Sequence, residues 1–156
     1  MKFSVAAIIL HKGKYLFQKR DNKSNIFYPN FYGLFGGASN KYEKPKQVLK
    51  RELYEELNIK FKDIEHLINL KLDSRNFNPK TASIFNRHFF ICKLPNNFKR
   101  NINLKEGQNY KFMNINRINK NELSPFDYAV TKYYDLLKKN KKIIPKKYLK
   151  KKIKLF

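Results

Sequence analysis

Residues 36–59, GGASNKYEKPKQVLKRELYEELNI, constrain this chain more than any other stretch. Pro45 suits the first turn of a helix, where its missing N–H costs nothing. The spacing predicts a helix from there to about Leu57. Leu49, Leu53 and Leu57 recur at i, i+4 and i+8, a stripe that has to pack on an apolar surface such as a sheet. Beside it, Glu52, Glu55 and Glu56 fall at i, i+3 and i+4 and share about a third of the helix circumference. Like charges at this spacing repel by about a few tenths of a kcal/mol per pair. The chain has a formal charge of +23 and seven Glu, yet four of them, counting Glu43, lie in this segment. A solvated acidic face is the ordinary explanation. A hard divalent cation with all-oxygen ligands would turn the repulsion into a binding site.

The neighbouring residues favour the second explanation. Gly36-Gly37 end a strand and let the backbone come close to a ligand. Glu43 lies just before the helix, where it favours the N-terminus or reaches back to the site. Arg51 is beside Glu52 and one turn from Glu55, placed to orient a carboxylate.

Around this helix the chain reads as interleaved strands and helices. Residues 3–10 and Tyr15–Arg20 form a hairpin about His11–Lys14. A polar-aromatic loop, 21–32, follows. Residues 64–73 and 82–92 are strands joined by a loop around Asn76–Lys80, 95–109 are irregular, and Tyr110–Asn114 is a short strand. Ser124-Pro125 starts a second helix to about Lys139, with Ala129, Tyr133, Leu136 and Leu137 expected on its apolar side. The pattern gives one α/β or α+β domain with a mixed sheet over residues 1–140, followed by a basic tail, 141–156.

Composition narrows the function classes. A single Cys, Cys92, excludes an internal disulfide and a cysteine zinc cluster, and it reads as a buried strand residue. The apolar run FSVAAIIL is too short to span a bilayer and is read as a buried strand. A cytoplasmic protein without stable membrane association is expected. The 29 Lys against 6 Arg, with 19 Asn, fit a compositional bias of the proteome. Attraction of a polyanion such as RNA is the other reading. His11, His66 and His88 show no ligand spacing and are given no role.

The segment resembles the signature of the Nudix hydrolases, G-x5-E-x7-R-E-U-x-E-E-x-G-U with U aliphatic. Here it reads Gly37, Glu43, Arg51, Glu52, Leu53, Glu55, Glu56, Asn58 and Ile59. Asn58 replaces Gly just past the helix end, where Asn is the next-best residue for a left-handed conformation, at a cost of at most about 1 kcal/mol. FYGLFGG, LKEGQNYKFMNI and SPFDYAVTKYYDLL resemble other segments of the family.

The resemblance implies an α/β fold, a Nudix-like α/β/α sandwich with a mixed β-sheet. It also implies a MutT-like pyrophosphohydrolase using Mg2+ or Mn2+. The implied ligands are Glu52, Glu55, Glu56 and the Gly36 carbonyl, with Glu106 as a later carboxylate. Glu52, Arg51 and Glu55 are the implied catalytic set, Glu52 as general base, with Gly37 and Glu43 in support. For substrate, Arg20, Arg75 and Arg87 are candidates for phosphate, with surface charge as the alternative. Tyr28, Phe31, Tyr32 and Phe35 are candidates for stacking a base, with core or loop packing as the alternative, and Phe126, Asp127 and Tyr128 for lining the pocket. A small nucleotide such as a nucleoside triphosphate is the expected substrate. A 5′-pyrophosphate on RNA, a nucleotide sugar or a dinucleotide are alternatives, and an inactive nucleic-acid-binding module is a further one. The residues do not specify an oligomeric state.

Overall fold

A computed structural model describes residues 3–73, 84–95, 98 and 102–140. Arg75, the Asn76–Lys80 loop and the basic tail lie outside the described residues. The strands are β1 (Phe3–His11), β2 (Lys14–Lys19), β3 (Tyr32–Gly33), β4 (Ile64–Asp73), β5 (Ile84–Lys93) and β6 (Asn109–Met113). The helices are α1 (Pro45–Leu57) and α2 (Pro125–Lys139). Both helices begin on proline, as their sequences predict. β4 has the expected bounds, β1, β2 and β6 differ from expectation by one residue at one or both ends, β5 ends one residue later, and β3 begins inside the expected 21–32 loop.

The sheet runs β3-β2-β1-β5-β4, with β6 on the other edge of β2. β1 and β5 are parallel and the other pairs antiparallel, so the sheet is mixed. β1 and β2 pair only near their turn, from Ile9–Leu16 to His11–Lys14. Past that point the segment after β3 enters between them. Val5 N–H donates to Gly37 O at 2.9 Å, Ala7 N–H to Phe35 O at 2.8 Å, and Ser39 N–H to Phe3 O at 2.9 Å. This wedge carries Gly36-Gly37 into the middle of the sheet.

α1 covers one face. Val48, Leu49, Leu53 and Leu57 pack with Val5, Ala7, Ile9, Leu16, Phe35, Phe90 and Cys92, each such buried aliphatic side chain contributing about 1.5–3 kcal/mol. α2 covers the other face, where Ala6, Ile8, Tyr15, Phe17, Phe89, Val130 and Tyr134 meet. The result is the expected α/β/α sandwich.

α2 turns a different side inward from the one its leucines suggest. Its buried residues are Asp127, Val130, Thr131, Tyr134 and Asp135, while Ala129 and Leu136 are exposed. The polar members are buried because each has a partner. Tyr15 Oη donates to Asp135 Oδ1 at 2.8 Å, Leu34 N–H donates to Asp127 Oδ2 at 3.0 Å, and Thr131 Oγ1 donates to the Asp127 carbonyl at 2.7 Å. Among the described residues no helix is long and apolar enough to cross a membrane.

Candidate functional site

The last two turns of α1 lie alongside Gly36-Gly37. Gly36 has φ +135°, and a Cβ there would run into the Val5 backbone, so only glycine lets the wedge lie this close to β1. A Cβ on Gly37 would collide with the Glu52 carboxylate. The two glycines therefore bring bare backbone against the acidic face of the helix. Asn58 closes α1 in the left-handed conformation (φ 56°, ψ 31°), its N–H donating to Tyr54 O at 2.9 Å. Asn thus does the work expected of Gly and leaves the carboxylates in place.

Glu56 is buried. Its Oε2 accepts the Gly36 N–H at 2.8 Å and its Oε1 accepts Gln18 Nε2 at 3.1 Å. Burial pushes its carboxyl up to about 8, against the lowering pull of the Gly36 and Gln18 hydrogen bonds, and the charges of Glu52 and Glu106 add to the rise. Glu52 is also raised, first by burial and then by Glu55 and Glu106, with Arg51 opposing. Gln18 is a site residue that the sequence reading did not single out. Its signal was a lone amide within the apolar strand YLFQKR, at the same parity as the buried Leu16.

Arg51 binds the remaining acids. Its Nε and Nη2 donate to the two oxygens of Glu43 at 2.9 and 3.1 Å, and its Nη1 donates to Glu52 Oε1 at 2.7 Å and Glu55 Oε2 at 3.0 Å. Nη2 also reaches the Ala38 carbonyl at 3.1 Å. Glu43 in turn accepts the Asn40 N–H at 2.7 Å, which fixes the loop before the helix. Among the described residues no three His, Cys, Asp or Glu side chains close into a cation cage. The Arg51 guanidinium holds one oxygen each of Glu52 and Glu55. The donor set still suits a hard divalent ion. Glu52, Glu56 and Glu106 lie within one another's electrostatic field, Gly36 adds backbone, and all the donors are oxygen.

A second polar cluster borders this one. Arg87 Nη2 stands 3.2 Å from Asp127 Oδ1. Arg20 is half-buried in the field of Asp127, Arg87 and Glu56, and desolvation is the main force lowering its pKa. The Nε atoms of Arg20 and Arg87 are buried without a hydrogen-bond partner. Gly33 makes room for the cluster, since a Cβ there would stand 3.0 Å from Asp127 Oδ2 and 3.3 Å from Arg20 Cδ.

Of the aromatic candidates, Phe35 is fully buried in the core under α1 and is removed from the substrate set. The pairing of its carbonyl with Ala7 fixes the wedge register that turns its ring inward. Tyr32 is half-buried with Lys19 Nζ 4.9 Å from its ring centre. Phe126 is half-buried and stacks on Phe27, centroids 6.1 Å apart and planes 12° from parallel. Glu106 is exposed on the loop before β6. Cys92 is buried, as expected, and burial pushes its thiol up to about 12.

Comparison with known proteins bears on this geometry. The family model described as the NUDIX domain matches residues 1–134. No curated sequence matches the chain. Among solved structures, a MutT Nudix hydrolase from Burkholderia pseudomallei superposes with TM-score 0.68 at 16% identity, covering 84% of this chain and 95% of that one. The E. coli dihydroneopterin triphosphate pyrophosphohydrolase gives 0.64 at 17%, covering 85% and 93%. The NUDIX domain of Shewanella oneidensis NrtR, solved with ADP ribose, gives 0.66 at 16%, covering 86% of each chain. At these identities the superpositions establish the fold alone.

Proposed function

The chain belongs to the Nudix family, hydrolases of pyrophosphate bonds in nucleoside-diphosphate-linked compounds, and on that premise we propose that it hydrolyses a nucleoside triphosphate or a related small nucleotide with Mg2+ or Mn2+. The observation that carries this reading is the pair Glu52 and Glu56. Both carboxyls are pushed up by burial, and both lie against the Gly36-Gly37 backbone in the field of Glu106. A divalent ion bound there supplies charge neutralisation for the diphosphate and acidifies a bound water. Glu52, Glu55, Glu56, the Gly36 carbonyl and Glu106 are its ligands in this reading.

The chain's own groups do the rest. Glu52 takes the proton from the attacking water, its raised pKa making it a better base than an exposed carboxylate. Arg51 orients Glu52 through the 2.7 Å bond to Oε1 and is itself held by the two bonds to Glu43. Gly37 keeps space for the Glu52 carboxylate. Arg20 and Arg87, the two guanidinium groups bordering the acidic face, bind the anionic end of the substrate. Tyr32 and Phe126 offer ring faces, and stacking contributes about 1–3 kcal/mol per base. A buried lone cysteine and a nucleotide substrate agree with a cytoplasmic enzyme.

A screen with Mg2+ or Mn2+ across nucleoside triphosphates, nucleotide sugars, dinucleoside polyphosphates and 5′-triphosphorylated RNA tests the proposal. A triphosphate is expected to exceed the other classes by at least about tenfold in kcat/KM, about 1.4 kcal/mol. Release of no phosphate from any diphosphate would leave a binding module. The +23 charge favours a second reading, removal of a 5′-pyrophosphate from RNA. In that case binding would fall steeply with salt and weaken on removal of 141–156. The deletion has to begin after Asn140, because Lys139 still pairs with Asp135 at 2.7 Å. The division into a catalytic domain, 1–140, and a separate tail is part of this proposal.

A further inference from the structure

β4 and β5 bring together two histidines 22 residues apart in the chain. Their register sets His66 opposite Phe90 and Asn69 opposite His88, and an irregularity between His66 and Ile68 takes up one residue. The two imidazoles therefore meet diagonally on one face of the sheet. His88 Nδ1 lies 3.5 Å from His66 Nε2, with ring centres 5.6 Å apart and planes inclined at 57°. Each ring is braced by an aromatic edge contact: Phe3 on His88 at 5.3 Å and 77°, and Phe90 on His66 at 5.1 Å and 79°.

This spacing matches a coordination edge. Two nitrogens on one tetrahedral zinc, each at about 2.0–2.1 Å, stand about 3.3–3.4 Å apart. At 3.5 Å the two nitrogens can also share one hydrogen bond, which a metal would replace, with the bridging proton released and the rings turned so that both lone pairs converge on the ion. Burial, and then the neighbouring His66, hold the His88 imidazole below its ordinary range, which favours the neutral ring a metal requires. Imidazole nitrogen suits Zn2+, Ni2+ and Cu2+, whereas the acids of α1 offer only oxygen.

We propose that His66 and His88 form a two-histidine site for a borderline divalent transition-metal ion of the Zn2+ type, with water completing the coordination. The site is separate in chemistry from the carboxylate cluster and does not depend on the hydrolase reading.

Zn2+ titrated into the full chain in excess Mg2+, followed by calorimetry, tests this directly. One Zn2+ per chain is expected. His66→Ala and His88→Ala should each weaken binding at least about tenfold, the loss of one of two ligands, while His11→Ala leaves it unchanged. His88→Gln keeps the side-chain bulk and should weaken binding as much as His88→Ala, and unfolding curves verify that each variant is folded. Ni2+ added to the wild type should broaden the Phe3 and Phe90 ring resonances, and this should be lost in His66→Ala. No Zn2+ uptake by the wild type up to about 1 mM, equal uptake by folded His66 and His88 variants, or dependence on His11 overturns the site. No hydrolysis is measured, so its failure leaves the Nudix reading untouched.

Discussion

Glu56 beneath α1 and Asp135 on α2 are both carboxylates buried against the same sheet. Glu56 accepts hydrogen bonds from a backbone N–H and an amide, and its near charges are two other acids together with Arg20. Asp135 accepts the Tyr15 hydroxyl and pairs with Lys139 at 2.7 Å. Burial raises both. In Asp135 the bonds from Lys139, Tyr15 and Asn116 and the Lys139 charge outweigh it and hold the carboxyl below its ordinary range, whereas Glu56 rises to about 8. An acid held in a contact ion pair within the fold serves the fold. One buried with only hydrogen bonds at contact is costly when ionised and is available to a ligand.

The contrast is tested first where it should be strongest. Asp127→Ala removes the acceptor of the Leu34 N–H and leaves Arg87 buried without its anion. A loss of about 3 kcal/mol is expected from urea unfolding, the scale of a broken buried pair. Asp127→Asn keeps the Leu34 bond and should lose less. Wild-type stability in Asp127→Ala would remove the structural assignment of the α2 face.

Glu56→Gln should do the reverse. The amide oxygen still accepts the Gly36 N–H, and Gln18 can turn its own oxygen toward the new NH2 group, giving up its 3.3 Å bond to the Leu34 carbonyl. The metal-free protein near pH 7 should unfold no earlier than wild type, while kcat falls at least about 100-fold, or about 2.7 kcal/mol. Unchanged kcat would remove the helix from the chemistry.

The pH dependence of stability separates the two faces further. Glu56 titrates at about 8 when folded against an ordinary 4.5, so its favourable contribution is complete below the unfolded value and is lost as pH rises through the folded one. Metal-free stability should therefore decline across that window, by at most about 1.4 kcal/mol per pH unit from this group, and Glu56→Gln should flatten the decline. Asp135 is depressed when folded, so it contributes above its unfolded value and that contribution is lost on acidification. Mg2+ should oppose the alkaline decline by binding the ionised carboxylates, and denaturation series with and without Mg2+ provide the measurement. The smallest effect is expected for Tyr15→Phe, which removes one donor to Asp135 while Lys139 remains, at about 1 kcal/mol.

The two faces also differ in how readable they were. α1 announced itself because its signals are local. Pro45, the Leu49-Leu53-Leu57 stripe and the spacing of Glu52, Glu55 and Glu56 all act within one helix, where chain distance fixes spatial distance. The left-handed ending at Asn58 is local too. The inward side of α2 was misread because Asp127, Thr131 and Asp135 look like solvent residues until their partners are known, and the partners of the two acids lie far off in the chain: Tyr15 is 120 residues from Asp135, and Leu34 is 93 from Asp127. Sequence leaves Phe35 open between core and ligand for a similar reason, since only the wedge pairing with Ala7 turns its ring inward.

Taken alone, the order of residues is enough for the family, the helix that carries the acids and the rough sequence of strands, all of which rest on short-range spacing. It does not say that Glu56 loses its water, that Arg51 occupies Glu52 and Glu55, or that His66 meets His88. Those follow from the splaying of β1 from β2 and the register of β4 on β5, because desolvation and charge pairing depend on neighbours that only the folded chain brings within a few ångströms.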